Sequence, residues 1–538
     1  MLSSNGPASK ADARAIDPRL TLNALLDESA ARFPNRIALV TADQSFDYAR
    51  LRERVRKAAA AFRARGVRKG DSVALVLRNG PEFVVAYFAL ARLGAVAVPV
   101  NFLVTKPEEL RFMLEDSGAV GVVTQREFLK GLLPARKDLP RLRWLWSRDG
   151  EQPEGGVEDL ARFVDAGDAE AFDQGEAAPD DVAAILYTSG TTGLPKGVML
   201  SHANMVTDVD ACLRLIGFTE RDVILCILPM FHTFAWTANV LASLRLGAKL
   251  VVCPAVAPPM PWLKLMAKHR VTLFTAVPPV YTLLAKEVKG FKGLALKHWF
   301  FRRVKLCVSG AGPLPLDTAD TFGERMGIPI IEGYGLTETS PVVTINPPRR
   351  PKKGSVGPAL DGMRLRVIDE AERELPPGIE GEICVQGPCV MLGYRGRPEA
   401  TQDTFTSDGW FKTGDIGILD DDGYLFIRDR KKDMIIVKGL KVFSAQVEQV
   451  LITHPDVAEA AIVGVPEGNG EERIKAYLVL RDGAAPDKAA LMRFCREHLD
   501  TYKRPRDIEI VSALPKNALQ KVLKRVLRQQ AIEKRQTL

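Results

Sequence analysis

The sequence predicts an α/β protein: a large N-terminal domain of two doubly wound sheets plus a small β-barrel-like subdomain, and a small mobile α+β C-terminal domain. Three observations predict this class. From about residue 20 onward, short apolar runs alternate with amphipathic helical patterns, which is the βαβ rhythm of parallel sheets covered by helices. After about residue 354, short strands alternate with Pro and Gly turns, which is typical of antiparallel sheet. A chain of 538 residues is also too long for a single core.

The first predicted sheet draws its elements from the N-terminal third of the chain. Apolar periodicity predicts helices at 51–65, 81–93 and 108–114, and strands at 73–77, 95–98 and 120–124. Gly66 and Gly94 end the first two helices, and Pro81 begins the second. Residues 126–180 are polar and predict an irregular surface connection. Within them the basic segment 136–148, with its two tryptophans, is interpreted as a solvated face rather than as a membrane-contacting patch.

The same alternation resumes after residue 180 and predicts the second sheet. Strands are predicted at 182–186, 223–227, 249–252, 271–274, 305–308 and 328–331, and helices at 237–244, 262–267, 281–286 and in the stretch that ends at Gly327. Ligands of open α/β sheets bind beyond the carboxyl ends of the strands. Four loops follow predicted strands in this way: 187–197, 228–236, 309–313 and 332–339. We therefore expect these four loops to converge on one site.

The alternation of helices and strands gives way to short antiparallel strands, which end in a run of polar residues. These two features place the domain boundary at Lys432. The tail 1–19 is expected to be disordered, 20–431 to form the N-terminal domain and 432–538 the C-terminal domain. Strands at 365–369, 381–385 and 424–428 build the antiparallel subdomain. The C-terminal domain is predicted to contain helices at 442–451 and 489–499, strands at 457–465 and 474–480, and a basic helix at 521–535.

The net charge, the cysteines and the apolar stretches limit the classes of protein to which this chain can belong. The net charge of +8 is compatible with nucleotide, CoA or lipid headgroups and does not require nucleic acid as a partner. The seven cysteines are scattered without a C-x-x-C pair, which predicts buried free thiols in a reducing cytoplasm. The polar stretch 1–18 lacks the apolar core of a secretory signal and is not expected to be one, and the apolar stretch 83–100 is too short and too interrupted to span a bilayer.

A hydroxyl- and glycine-rich loop follows the apolar run 182–186. It consists of Tyr187, Thr188, Ser189, Gly190, Thr191, Thr192, Gly193, Leu194, Pro195 and Lys196. Backbone N–H groups in such a loop can converge on an anion, and Lys196 adds a positive charge. We expect this loop to hold a polyphosphate, with a helix capped by Ser201 or Asn204 behind it. Pro195 rules out a Walker A loop, and Tyr187 rules out a nucleophile elbow around Ser189.

Three further loops carry candidate nucleotide-binding residues. Glu338 follows a strand and a Gly-Tyr-Gly turn, where its carboxylate is a natural Mg²⁺ ligand beside phosphates. Tyr334 offers a flat face to adenine. The glycines that permit close backbone approach are Gly310, Gly312, Gly333 and Gly335. Asp415 follows a Gly turn, where holding a ribose and simply completing the turn are equally good interpretations.

The loop at 228–236 predicts the pocket for an acid. His232 lies between Phe231 and Phe234 and is interpreted as a gate of an acyl pocket, although a lone His in an apolar run is more often a core residue. The neighbouring pocket candidates are Ala235, Trp236, Val277 and Pro278. No carboxylate in 229–240 could pair with an amine, which favours an apolar acid over an amino acid. By its own pattern, Lys521 is one more lysine of the basic C-terminal helix.

Several ordered motifs together resemble one family over nearly the whole chain, from about residue 20 to about residue 528. They are the loop 187–197, Gly333 to Glu338, Gly393-Tyr394 with residues 397–401, Trp410 to Asp415, and 429–433. This set is similar to the adenylate-forming superfamily of acyl-CoA synthetases, carrier-protein adenylation domains and luciferases. Residues 345–347 and 382–394 look most like bacterial long-chain fatty acid–CoA ligases.

The resemblance implies ATP-dependent activation of a fatty acid, of the long-chain kind, through acyl-AMP to acyl-CoA, with ATP, Mg²⁺ and CoA as cofactors and co-substrates. It implies that residues 188–193 and Lys196 cradle pyrophosphate, and that Glu338 and Thr191 serve Mg²⁺. It also implies that Gly310, Ala311, Gly312, Glu332, Gly333, Tyr334 and Gly335 bind adenine, and that Thr337 is one of the cofactor-binding residues. Asp415 and Arg430 would hold the ribose. Lys521 would bridge the α-phosphate and the carboxylate, Lys432 would be the hinge, and Gly439 would line the pantetheine channel.

This chain departs from the family pattern at three positions. Gln520 replaces the glycine that usually precedes the catalytic lysine, and Ser444 and Gln446 replace a proline and a glutamate after the hinge. Other hypotheses stay open: an acyl-AMP ligase that loads a carrier protein, and a ligase for medium-chain, alicyclic or aryl acids. A non-enzymatic fatty-acid-binding, membrane-associated protein is a third. The basic and aromatic stretches 297–305 and 521–535 are compatible with peripheral membrane contact at the inner face.

Overall fold

The computed structural model describes residues 17, 20–104, 106–151, 155–172, 175–188, 195–287, 290–437, 440–468, 471–481, 483–516 and 521–536. The strands are β1 (Ile37–Val40), β2 (Ser45–Asp47), β3 (Ser72–Val76), β4 (Val96–Pro99), β5 (Ala119–Thr124), β6 (Trp144–Ser147), β7 (Val157–Asp159), β8 (Val182–Thr188), β9 (Lys196–Ser201), β10 (Val223–Cys226), β11 (Lys249–Val252), β12 (Leu273–Ala276), β13 (Leu306–Ser309), β14 (Ile330–Gly335), β15 (Val342–Ile345), β16 (Arg364–Ile368), β17 (Gly381–Gln386), β18 (Gly393–Tyr394), β19 (Phe411–Leu419), β20 (Leu425–Arg430), β21 (Ile435–Val437), β22 (Leu440–Val442), β23 (Val457–Gly468), β24 (Glu471–Leu480) and β25 (Asp507–Ile510). The predicted tail 1–19 lies almost entirely outside the described residues.

The helices connect these strands. They are α1 (Leu22–Arg32), α2 (Tyr48–Ala64), α3 (Pro81–Leu93), α4 (Pro107–Asp116), α5 (Leu129–Arg136), α6 (Leu160–Asp165), α7 (His202–Ile216), α8 (Thr233–Ala235), α9 (Ala242–Leu246), α10 (Pro259–His269), α11 (Pro278–Glu287), α12 (Gly290–Ala295), α13 (Leu316–Met326), α14 (Pro398–Gln402), α15 (Ser444–Ile452), α16 (Lys488–His498) and α17 (Lys524–Gln536). Two π-helical stretches, Trp236–Leu241 and Leu296–Phe300, continue α8 and α12.

The predicted fold class is confirmed. One eight-stranded sheet has the order β18-β9-β8-β4-β3-β5-β6-β7, and a second has the order β15-β14-β13-β12-β10-β11-β1-β2. The inner strands of both sheets pair in parallel. A four-stranded antiparallel sheet, β16-β17-β19-β20, follows them, and the C-terminal part contains the sheets β21-β22 and β23-β24-β25. A large apolar core spans the two eight-stranded sheets, and a separate cluster fills the C-terminal unit.

Local signals explain why several helices begin and end where they do. Pro81 occupies the first turn of α3, where its missing N–H costs nothing, and Gly94 ends that helix at φ 65°. The Ser201 hydroxyl caps α7 by accepting from the N–H of Asn204, whose side chain accepts from the N–H of Ser201. The predicted cap of this helix is therefore confirmed.

The structure corrects the predicted path of the chain in one place and adds two strands for which no prediction was made. Strand β9 separates the loop 189–195 from α7, so the loop connects two antiparallel strands and the N-terminus of α7 does not follow it directly. Strands β1 and β2 come first in the chain but join the second sheet, where β1 pairs with β11. Pairing across such sequence distances leaves no mark in local periodicity.

The predicted irregular connection at 126–180 is wrong. It contains α5, β6, β7 and α6, and β6 and β7 extend the first sheet. Trp146 is fully buried and packs edge-on against Phe62 with ring centroids 5.0 Å apart, so it is a core residue, whereas Lys137, Arg141 and Arg143 of the same segment are exposed. Periodicity did not indicate these two short strands, because the stretch is mostly polar and only a few apolar residues of the strands face the core.

All seven cysteines are buried free thiols, as predicted. In the described part of the chain, no helix has the length and apolar character needed to cross a membrane.

Candidate active site

A cavity of about 1430 Å³ lies where the predicted loops meet the C-terminal unit. Predicted site residues that line it are Thr188, Lys196, Phe231, His232, Phe234, Gly310, Ala311, Gly333, Tyr334, Gly335, Thr337, Glu338, Arg430, Lys432 and Lys521. Residues far apart in sequence therefore share one cavity. The end of β8, the start of β9 and the loops that follow β10, β13 and β14 meet there, as expected for the carboxyl ends of parallel strands.

Only the two ends of the predicted phosphate loop lie within the described residues. Thr188 and Lys196 pair across β8 and β9, with the Thr188 hydroxyl donating to the Lys196 carbonyl at 3.5 Å. The predicted residues Ser189, Gly190, Thr191, Thr192 and Gly193 lie outside the described residues. The hairpin fixes both ends of the loop, and the Lys196 ammonium lies 4.8 Å from the centroid of the Tyr394 ring.

Glu338 is held beside this hairpin. The Tyr394 hydroxyl donates to Glu338 Oε1 at 3.0 Å, and the N–H of Met391 donates to the Glu338 carbonyl at 2.8 Å. Burial raises the pKa of the Glu338 carboxyl, against which the Tyr394 hydrogen bond acts. No cluster of three or more His, Cys, Asp or Glu side chains able to hold a metal occurs among the described residues. The single oriented carboxylate fits Mg²⁺, which usually binds one or two carboxylates and completes its shell with phosphate oxygens and water.

The candidate ribose residues meet on the antiparallel sheet. Asp415 on β19 and Arg430 on β20 face each other across the ladder, with Arg430 Nε 3.4 Å from Asp415 Oδ1. The Tyr334 hydroxyl donates to Asp415 Oδ2 at 2.7 Å. Asp415 is only 5% exposed, so these contacts compensate the free-energy cost of burying its carboxylate. They also orient the carboxylate oxygens, which can still accept further hydrogen bonds. The hydrogen bond also fixes the plane of the Tyr334 ring on the cavity wall.

Protein packing, rather than a ligand, explains two of the predicted glycines. A Cβ at Gly335 would lie 1.8 Å from the Pro341 carbonyl oxygen, and one at Gly310 would lie 3.1 Å from the Phe234 ring. At Gly312 the nearest neighbour is Pro278, at an ordinary 3.8 Å. Glu332 accepts from the N–H of Leu314 at 3.3 Å, and burial raises its pKa to about 7.

The predicted acyl-pocket residues divide into two groups. Phe231, His232 and Phe234 line the cavity, and His232 Nδ1 is buried without a hydrogen-bond partner among the described residues. Burial and the charge of Lys521 lower the pKa of His232 to about 4, so its ring is neutral near pH 7. Trp236 instead stacks on Tyr87 in the core, with ring centroids 4.0 Å apart.

The remaining pocket candidates, Ala235, Val277 and Pro278, lie behind the cavity wall: Ala235 is 0% and Val277 3% exposed. The cavity walls that the sequence reasoning missed come from α7, the π-helical stretch and the second sheet. They include Cys212, Leu213, Ile216, Phe218, Ile224, Ala238, Ala242, Val342 and Ile345. The small residues Ala238 and Ala242, one helical turn apart, are the signal that could have identified this wall.

The C-terminal unit places Lys521 on the opposite wall. Its side chain borders the open cavity, yet burial of the ammonium group and the charges of Arg430 and Lys432 lower its pKa to about 8. Burial and Arg430 also lower the pKa of Lys432. Gln520 and Gly439 lie outside the described residues. The motif residues therefore line one cavity. Part of its wall carries charged and hydroxyl side chains suited to phosphates, and part of it is apolar.

Known protein families and relatives match this chain over almost its whole length. The family described as AMP-binding enzyme matches residues 26–395, and the AMP-binding enzyme C-terminal domain matches residues 446–521. The long-chain-fatty-acid–CoA ligase of Salmonella typhimurium is 35% identical over 94% of this chain and 94% of the relative. The 4-coumarate–CoA ligase 3 of Oryza sativa subsp. japonica is 34% identical over 95% of this chain and 92% of the relative. The crystal structure of the anthranilate CoA ligase AuaEII in complex with anthranoyl-AMP has a TM-score of 0.86 at 28% identity, covering 95% and 97% of the two chains.

Proposed function

The chain belongs to the AMP-binding enzyme family and is an AMP-forming acid–CoA ligase that uses ATP, Mg²⁺ and CoA, and we propose that its acid substrate is a long-chain fatty acid. The observation that carries this proposal is the apolar extension of the cavity. Its walls include Cys212, Leu213, Ile216, Phe218, Ile224, Ala238, Ala242, Val342 and Ile345 together with the hydroxyl residues Thr237 and Thr275, and none of these residues is charged. An extended hydrocarbon is the ligand that such walls favour.

The size of the cavity supports the same proposal. Its volume of about 1430 Å³ exceeds the roughly 300–1,000 Å³ that is usual for a single small-molecule site. A nucleotide, an acid and the thiol arm of CoA have to meet within it. Alanines at positions 238 and 242 leave room along the helix that would otherwise close the apolar end.

The reaction needs positioned charge more than covalent chemistry from the protein. In the first half, a carboxylate oxygen bonds to the α-phosphorus of ATP, and pyrophosphate leaves with the electron pair of the broken bond. In the second half, the CoA thiol loses its proton to solvent and its sulfur bonds to the acyl carbon, and AMP leaves with the electron pair of the broken bond between the acyl carbon and the phosphate oxygen. We assign Lys196, Thr188 and the loop 189–193 to the pyrophosphate, and Lys521 to the α-phosphate and carboxylate.

Other residues orient the nucleotide. Mg²⁺, held by Glu338 and Thr191, would neutralise phosphate charge when bound. Asp415 would accept hydrogen bonds from the ribose hydroxyls and Arg430 would donate to them, and residues 310–312 and 332–335 would contact adenine. Neutral His232 would separate the charged end of the site from the apolar end, because a protonated imidazole beside Lys521 would be repelled.

The domain assignment is part of the proposal: 20–431 for the adenylating domain and 432–538 for a domain that turns at Lys432 between the two half-reactions. The position of Lys521 at the cavity supports this assignment, because the first half needs that lysine beside the reacting groups. In the other orientation, Gly439 would line the passage for pantetheine.

The experiment measures pyrophosphate release and CoA-thioester formation with acids from butyrate to oleate, together with benzoate and 4-coumarate. We expect kcat/KM to rise with chain length toward the long-chain acids. A maximum with an aryl or short acid would refute the long-chain proposal. Release of pyrophosphate without formation of a CoA thioester would indicate a carrier-protein acceptor.

A cavity-filling variant sharpens this test. Ala238→Phe places a ring in the apolar extension, and we expect it to lower kcat/KM for oleate by at least about tenfold while butyrate changes little, since only the long chain reaches that wall. Ala489→Phe is the matched control, because Ala489 is exposed on α16 and does not line the cavity. Equal losses for oleate and butyrate would contradict the assignment of this wall to the acyl chain.

A further inference from the structure

Positive charge is concentrated in one segment of this chain. Residues 253–316 contain ten Lys and Arg residues and a single acidic residue, Glu287, which gives that segment a net charge of +9. The whole protein carries +8, so the other residues together are close to neutral. Such an asymmetry is an electrostatic footprint for a polyanionic partner.

The fold gathers part of this charge on one face. Helix α10 packs against the π-helical stretch Leu296–Phe300, and between them lies a depression of about 560 Å³. We call this face the basic surface, defined by Lys264, Lys268, Arg270, Arg302, Arg303 and Trp299, all of which are exposed.

The basic surface differs from the other basic stretch of the chain, helix α17, in how its charges are paired. Within the described ranges, none of the five Lys and Arg side chains of this surface forms an ion pair with a carboxylate, whereas Lys305 of the same segment pairs with Asp222 at 2.6 Å. In α17, Lys524, Arg528 and Lys534 pair with Glu448, Glu472 and Glu509 at 2.7, 2.6 and 2.5 Å. Of the two stretches, the basic surface is therefore the one that presents its charge outward.

Apolar side chains stand among these cations. Trp299 is 72% exposed, whereas the other five tryptophans of the chain are buried or half-buried. Leu294 and Met260, on the neighbouring helices α12 and α10, are 57% and 49% exposed. An exposed Trp with Leu and Met beside unpaired Lys and Arg is the composition of a membrane-interface anchor, since the ring sits among the headgroups and the cations meet the phosphates.

We propose that the basic surface docks the enzyme on an anionic phospholipid membrane, with Trp299 inserted at headgroup depth. Lys305, two residues after Arg303 of the basic surface, has its Nζ 5.8 Å from the ring centroid of Phe218, which lines the cavity. The segment that carries the surface therefore also contacts a residue of the cavity wall. Membrane docking does not depend on the acid being long-chain, so the binding test below and the acid panel above can fail independently.

The test is co-sedimentation of the full-length protein with vesicles of phosphatidylcholine alone or with about one-third phosphatidylglycerol, at low and high salt. We expect binding to require phosphatidylglycerol and to weaken with salt. The double variant Arg302→Glu/Arg303→Glu should weaken binding by at least about tenfold, because each cation near an anionic surface changes the affinity several-fold. Arg349→Glu/Arg350→Glu is the matched control, since these adjacent exposed arginines lie outside the surface. All variants should keep wild-type ligase activity on butyrate without vesicles.

Trp299 provides an independent readout. We expect quenching of tryptophan fluorescence by brominated lipid in the wild type and its loss in Trp299→Phe. Equal binding to both vesicle types, or an equal effect of the control pair, would overturn the proposal. So would absence of quenching at Trp299. Self-association that Trp299→Ser abolishes, or tighter binding to an oligonucleotide than to vesicles, would assign the surface to another partner.

Discussion

The hydroxyl of Ser444 joins three parts of the molecule around the proposed hinge. It donates to Asp429 Oδ2 at 2.7 Å and accepts from Lys524 Nζ at 2.7 Å, and Ser444 is fully buried. Asp429 lies on β20, three residues before Lys432, and Lys524 begins α17, three residues after Lys521. Ser444 is also one of the positions where this chain departs from the family pattern. We expect Ser444→Ala to loosen the orientation that keeps Lys521 in the cavity.

The size of the effect follows from the contacts. A hydrogen bond to a charged group contributes about 1.5–3 kcal/mol. Both charged partners keep another contact in the variant: Asp429 accepts from the N–H of Ala445 at 3.2 Å, and Lys524 pairs with Glu448 at 2.7 Å. We therefore expect a loss of about 2 kcal/mol rather than the sum of two bonds. At about 1.4 kcal/mol per factor of ten, this loss lowers the first half-reaction by about 30-fold.

The assay measures the two halves separately. ATP–pyrophosphate exchange reports the first half, and conversion of supplied acyl-AMP and CoA reports the second, which we expect to stay within about twofold. Asp487→Ala is the matched control, because Asp487 caps α16 in the same C-terminal unit without bridging the hinge. Equal losses in both halves, or the same profile from the control, would refute the positioning role of Ser444.

The remaining predictions concern individual contacts. Because the pKa of Lys521 is lowered to about 8, its charge is lost as the pH rises through that value. The kcat/KM of the first half should therefore fall above about pH 8, and Lys521→Ala should abolish that half while supplied acyl-AMP and CoA still react; a flat profile from about pH 7 to 9.5 would contradict the assignment. Tyr394→Phe removes the 3.0 Å hydrogen bond to Glu338, and we expect a roughly tenfold higher Mg²⁺ requirement, with Tyr424→Phe unaffected. Asn79 donates to the carbonyls of Leu228 and Cys253 and accepts from the N–H of Met230. Asn79→Ala should therefore destabilise the fold by about 2–4 kcal/mol, measured by denaturant titration. It should also raise KM for the acid more than KM for ATP.

Much of the fold and part of the site could be predicted from residues that lie close together in the sequence. The bounds of α3, the cap of α7 and the parallel core strands follow from residues a few positions apart. The loops that carry Lys196, Tyr334 and Glu338 could be recognised because glycine, hydroxyl and charged residues follow buried strands. Their meeting at one cavity could be anticipated from the rule that ligands of open α/β sheets bind beyond the carboxyl ends of the strands.

The tertiary structure decided what depends on distant partners. Only pairing in space puts β1 beside β11 and makes Trp146 a core residue. Only packing shows that Gly335 is required by the Pro341 carbonyl, and that α7 and Ala238 wall one apolar extension. Both basic stretches are rich in Lys and Arg, yet among the described residues Lys524, Arg528 and Lys534 of α17 are paired with carboxylates and the cations of the basic surface are not. The reason is physical: sequence fixes the charge and apolarity of each side chain, whereas its neutralisation and burial are set by residues that only the folded chain brings within a few ångströms.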